Sequence, residues 1–203
     1  MAANLADHIP ITAIKTVSGN SPMTRSIAED ASQVFFFGVP VQIDAAGFVQ
    51  EWDGTTLTNA LAGFSKQTGS NLATPGKGAP PTFGSVGPPG TNVTFGSVPN
   101  EPSAVNIPHG APMVDGRTVF EAADSDTVFE GQIDNSNAGA YASTQAMIGA
   151  TFGLTKDATG HWYVDVFKTN AVRIQAFNPA DGIGVNAARA WFTVLKSVQQ
   201  LVI

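Results

Sequence analysis

The chain has 203 residues, 16 of them Asp or Glu and 10 Lys or Arg, giving a formal charge of -6 and a pI near 4.8. The basic residues stand singly, which argues against a broad phosphate-binding surface, and the absence of cysteine excludes a disulfide framework, a thiolate metal site and a cysteine nucleophile. Only 13% of residues are charged while Gly supplies 21 positions and Pro 13, so the surface relies on hydroxyls, amides and apolar atoms, a composition suited to a protein packed against other proteins.

Residues 1–22 read as an extended N-terminal arm. The start lacks a basic n-region, and no segment has the roughly 18 uninterrupted apolar residues of a membrane span, so a soluble protein with no membrane partner is expected. Ile9-Pro10-Ile11-Thr12-Ala13-Ile14 alternates β-branched residues around a proline that forbids central pairing, the pattern of an arm or edge strand able to lie on a neighbour.

Residues 23–68 form a first β segment. Val34-Phe35-Phe36-Phe37 is apolar on both faces, as in a strand buried on both sides or an intersubunit surface. A hairpin follows, 38–43 and 48–52 joined by a turn at Asp44-Ala45-Ala46-Gly47; the period of two puts Val39, Val41 and Ile43 on one face, expected to line a core shared with the C-terminal strands. Leu61-Ala62-Gly63-Phe64-Ser65 gives one more short strand.

Residues 69–112 are a long Gly/Pro-rich insertion. Gly87-Pro88-Pro89-Gly90 stops both helix and central strand, and one pentapeptide occurs twice, as Thr82-Phe83-Gly84-Ser85-Val86 and Thr94-Phe95-Gly96-Ser97-Val98. By composition the segment fits a mobile surface insertion as well as a binding loop; a purely solvating loop has no need of Phe83 and Phe95, which tips the reading to a binding loop that buries them against a partner.

Residues 113–203 carry the second β segment, expected to share one core with the first. Runs at 117–121 and 127–130 flank a turn at 122–126, a Gly/Ser/Asn loop covers 134–144, and 147–154 pairs with 161–167 across 156–160. Alternation at 171–177, a turn at 178–182 and alternation at 188–195 around Trp191 complete the chain. Without a helical period of useful length, the reading is all-β: a small barrel or sandwich of short antiparallel strands.

No motif carries catalytic chemistry, and neither a cofactor nor a metal is expected. His8, His109 and His161 have no metal-ligand spacing, and His161 reads as a strand-end histidine. Gly182-Ile183-Gly184-Val185-Asn186-Ala187 resembles a dinucleotide glycine fingerprint, but a turn precedes it and a strand follows, where the chemistry needs a helix N-terminus. Asp124, Asp126 and Glu130 sit in one apparent hairpin without the ligand series of a calcium loop, and Asn92-Val93-Thr94 matches a glycosylation acceptor by pattern alone.

The set Ile27-Ala28-Glu29-Asp30, Gly38-Val39-Pro40-Val41, Gly47-Phe48-Val49-Gln50-Glu51-Trp52 and Ala62-Gly63-Phe64, continued by Phe129-Glu130-Gly131-Gln132, Ile148-Gly149, Trp162-Tyr163-Val164-Asp165 and Arg189-Ala190-Trp191-Phe192, resembles the head decoration (cement) proteins of tailed bacteriophages. The resemblance implies a β-rich homotrimer, made in the host cytoplasm and bound on the virion's capsid exterior to the major capsid protein, with no enzymatic activity and no nucleic-acid partner. Ile9, Ile11, Ile14, Phe83 and Phe95 are the expected partner-binding residues. The alternative is a receptor- or carbohydrate-binding β-domain of a phage tail or fibre, with Trp52, Trp162 and Trp191 as stacking platforms.

Overall fold

The structure is a computed structural model that describes residues 9–30, 36–54, 60–66, 117–137 and 141–200. It is all-β, with a closed five-stranded barrel beside a second, antiparallel sheet. The strands are β1 (Thr12–Thr16), β2 (Thr24–Ala28), β3 (Pro40–Ile43), β4 (Val49–Glu51), β5 (Gly63–Ser65), β6 (Arg117–Ala122), β7 (Thr127–Asp134), β8 (Thr151–Lys156), β9 (Trp162–Asp165), β10 (Val172–Phe177) and β11 (Arg189–Val194). Among the described residues the helical turns are 3-10 pieces, Gln145–Met147 and Lys196–Val198.

The barrel runs β7-β11-β10-β8-β9 and closes where Ile133 and Asp134 of β7 pair in parallel with Val164 and Asp165 of β9. β1 lies along the other half of the same β7 edge, Thr12 opposite Glu130 and Thr16 opposite Thr127. Alternation fills the interior: Ala190, Phe192 and Val194 of β11 point in while Arg189, Trp191 and Thr193 point out. In β10 a bulge between Ile174 and Ala176 shifts the phase, so Phe177 is buried in place of Ala176.

The second sheet runs β2-β6-β5-β3-β4. It curls until its edges nearly meet, because the chain leaving β2 returns along β4: Glu29 bridges to Val49, and the Asp30 N–H donates to the Val49 carbonyl at 2.7 Å. Glu29 is fully buried there and accepts a short hydrogen bond from the Thr118 hydroxyl. The β3–β4 hairpin forms as its turn residues dictate. Asp44 Oδ1 accepts from the N–H groups of Ala46 and Phe48 at 2.9 and 2.8 Å, and Gly47 takes the left-handed φ of 90° that a side chain would resist.

One hydrophobic core spans both sheets. Phe64 of β5 packs against Phe129 of β7 at 4.6 Å and Phe192 of β11 at 6.1 Å, with Val39 and Val41 buried behind it and Ile43 at its margin. Fully burying each such side chain contributes roughly 1.5–3 kcal/mol.

Three sequence expectations are corrected. β6 and β7 are not a hairpin: β6 pairs with β2 and β5, and β7 with β1 and β11, so 123–126 carries the chain from one sheet into the other. Asp124 makes that corner, its Oδ1 accepting from the N–H groups of Asp126 and Thr127 at 3.0 and 2.6 Å. Phe36 and Phe37 are 49% and 38% exposed in a turn, not in a strand buried on both sides; Val34 and Phe35 lie outside the described residues. Ile11 belongs to this chain's own core at 1% exposure and is not held out for a neighbour; of the two readings, arm or edge strand, β1 is the edge strand, of the barrel sheet. Gly131 makes the room: a Cβ there would lie 2.9 Å from Ile11 Cγ1.

Candidate interaction surface

Strand direction sorts the connecting segments. Asp134 of β7 lies beside Asp165 of β9, Arg189 of β11 beside Gln132 of β7, and Phe177 of β10 beside Ala190 of β11. The ends of β7, β9 and β10 and the start of β11 therefore share one end of the barrel. The segments leaving it carry large apolar side chains left in solvent: Tyr141, Phe167 (61% exposed), Ile183 (50%) and Val185.

These positions are held by hydrogen bonds, not by chance. Residues 141–143 and 184–187 form a short antiparallel ladder: Ala142 bridges Asn186, the Ser143 N–H donates to the Val185 carbonyl at 2.9 Å, and the Gly184 N–H donates to the Ser143 carbonyl at 2.8 Å. The buried Ser143 hydroxyl donates to the Gly182 carbonyl at 3.0 Å and accepts from the Val185 N–H at 3.2 Å. Gly182 and Gly184 have φ of 74° and 88°, so the glycines that resembled a nucleotide fingerprint are there for left-handed backbone, and a strand follows them. Asp181 fastens the far side of the segment, accepting from Arg189 Nε, from an Arg189 terminal nitrogen and from the Arg189 N–H, at 2.9, 2.9 and 2.8 Å. Those bonds from Arg189 outweigh partial burial and hold the Asp181 carboxyl below the usual range.

Phe167 is placed by Asp165, which is fully buried. The carboxylate accepts from the Thr155 hydroxyl at 2.8 Å, the Phe167 N–H at 3.0 Å and the Ser136 N–H at 3.3 Å. Burial opposes ionisation, but the bonds from Ser136, Thr155 and Phe167 together exceed it, and the pKa falls below the ordinary value. Burial, then the charges of Asp165, Asp134 and Asp157, push the neighbouring Tyr163 phenol well above its usual range, so it stays protonated. One carboxylate thus ties two of the surface segments to β8.

The residues expected from sequence fall elsewhere. Ile9 is half-buried, with its N–H donating to Gln132 Oε1 at 2.8 Å, and Ile14 is the bulged residue of β1, 38% exposed. Ile11 is withdrawn into the core, and Phe83 and Phe95 lie outside the described residues. Trp52 and Trp162 are buried against each other at 5.5 Å and offer no open face for stacking. Trp191 is half-buried, its Nε1 donating to Glu130 at 2.8 Å and its ring covered by Lys15 Nζ at 4.5 Å. His161 stacks on Phe36 at 5.3 Å and lies 2.9 Å from the Thr159 hydroxyl. Sequence reasoning passed over Tyr141, Phe167, Ile183 and Val185. The available signal was a pair of apolar residues, Ile183 and Val185, each preceded by a glycine in a turn-rich stretch.

What this end can do is bury apolar area against another surface. Comparison of the chain with protein-family models, with curated proteins and with solved structures gave no match.

Proposed function

We propose that the chain is a structural virion protein, a decoration or cement protein that binds the outside of an assembled phage capsid as a homotrimer and contacts the major capsid protein through the barrel end bearing Tyr141, Phe167, Ile183 and Val185. The observation that carries the reading is that these exposed side chains sit on hydrogen-bonded, conformationally fixed segments. An apolar residue held rigidly in water is a feature of a preformed contact surface, since little ordering entropy remains to be lost on docking. Each is worth up to roughly 1.5–3 kcal/mol if fully buried, before the cost of association.

Function then follows from mass action. A protein that binds the closed shell but not its dissociated subunits stabilises the shell by RT ln(1 + [L]/Kd) per site, and three linked copies raise the avidity through effective concentration. The low charge content and the lack of a catalytic motif fit this role.

The test is co-sedimentation with undecorated heads of the phage whose genome encodes the chain. Wild type should pellet with the heads, and the triple variant Tyr141→Ser, Ile183→Ser, Val185→Ser should stay in solution with an unchanged melting curve. If wild type stays in solution, or if the triple variant binds as wild type does, the reading fails.

A further inference from the structure

An apolar hollow lies away from the barrel end, on the outer face of the sheet where β1, β7, β11 and β10 run side by side. Its volume is about 460 Å³, within the roughly 300–1,000 Å³ of small-molecule sites. The larger part of the lining is apolar and includes Val17, Val128, Ala176 and the Trp191 indole. Two of these walls are fixed by hydrogen bonds. Val17 is 72% exposed, yet its N–H donates to the Asp126 carbonyl at 2.8 Å, and the next N–H, of Ser18, donates to the Asp126 carboxylate at 2.8 Å. The indole is held by its Nε1 bond to Glu130 at 2.8 Å. The hollow is therefore preformed, and filling it costs little ordering.

Charge selects the ligand. Lys15 is the one charged residue in the lining; its ammonium lies over the Trp191 ring at 4.5 Å and pairs with no carboxylate among the described residues. The cation–π contact orients that ammonium at the mouth of the hollow without neutralising it. The carboxylates nearby are already engaged: Glu130 accepts from Asn178 at 2.7 Å and from Trp191 and faces Arg189 at 3.8 Å, and Asp126 holds the Ser18 N–H and hydroxyl. On the rim, Gln175 Nε2 donates to the Thr193 hydroxyl at 3.0 Å, so these two polar groups bond to each other. One unpaired ammonium balances one negative charge, and with no arginine in the lining the hollow lacks the forked donors that recognise phosphate.

We infer that the hollow beside Trp191 binds a small monocarboxylate with an apolar body. The carboxylate pairs with the Lys15 ammonium from its solvent side, and the apolar body lies along the indole edge against Val17 and Ala176. The site is independent of attachment through the barrel end and stands or falls separately.

The experiment is titration of the ¹⁵N-labelled full chain with 1-naphthylacetate and with octanoate, and with 1-naphthylacetamide and 2-(1-naphthyl)ethylamine as neutral and cationic controls. At least one acid should shift the Trp191 indole N–H and the Val17 amide, more tightly than either control and less tightly as salt is raised. Response to one acid or to both tells whether the hollow takes a flat ring or a chain, and each supports the site. Lys15→Met, which keeps an apolar stem against the indole and removes the charge, and Val17→Ser should each weaken the binding about three- to fivefold. Both side chains are exposed, so the melting curve should stay in place. No shift at Trp191 with either acid, equal binding of the amide or the amine, or wild-type affinity in Lys15→Met would overturn the inference.

Discussion

Replacing Asp165 by Ala removes a buried carboxylate that three donors from separate segments share. A hydrogen bond to a charged group contributes roughly 1.5–3 kcal/mol, but the three are not additive, and the Ser136 and Phe167 N–H groups lie near the surface, where water can replace part of the loss. A cost of about 3–5 kcal/mol at pH 7 is expected, a large share of the roughly 5–15 kcal/mol that holds such a domain together, and a drop of about 6–20 °C in melting temperature. The carboxyl's pKa is lowered in the folded state, so its contribution is fully present above the unfolded value near 3.9 and is lost as pH falls through the folded value. The gap between wild type and variant should therefore narrow below about pH 4. Calorimetric melts at pH 7 and at stepped lower pH measure both effects. Equal melting at pH 7, or a gap that stays constant into acid, would show that Asp165 does not hold these segments.

Phe64→Ala should cost about 3–5 kcal/mol, seen as one cooperative transition at lower denaturant, because Phe64 lies between the two sheets; separate transitions would mean that they do not share a core. Gly153→Ala should lower the melting temperature, since the new Cβ would lie 2.4 Å from Lys168 Cβ, where the link from β9 to β10 crosses β8; wild-type melting would refute that close approach. Removing residues 1–16 takes away β1 and the buried Ile11 and should destabilise the fold by several kcal/mol, within the range of large core deletions. Wild-type stability of that truncation would contradict the packing of β1.

The parts of this fold that could be read from sequence are those decided locally. The β3–β4 hairpin followed from a turn of Asp and Gly between alternating residues, and β10 and β11 from alternation on either side of an Asn-Pro turn. Partnership could not be read in the same way. β6 and β7 are joined as tightly as a hairpin, yet alternation says only that one face of each is buried and not which strand lies beside it, and β7 takes its neighbours from β1 and β11, far away in the chain. Ile11 looked like part of an adhesive arm because nothing local needed it; the space above Gly131 that receives it exists only after folding. Phe36 and Phe37 looked like strand because an apolar run without alternation fits a buried strand and an exposed surface equally well. The barrel end was hidden for the same reason as partnership: Tyr141, Phe167 and Val185 come together through strand direction, and Ile183 drew attention only as part of a glycine pattern.

Hydrogen exchange on the head-bound protein tests the attachment claim most directly. Backbone amides at 141–143, 167 and 183–187 should gain protection on binding, while those around Val17 and Phe36, away from that barrel end, exchange as in the free protein. Protection confined to the Val17 and Phe36 surfaces, with 141–143 and 183–187 unchanged, would contradict the account.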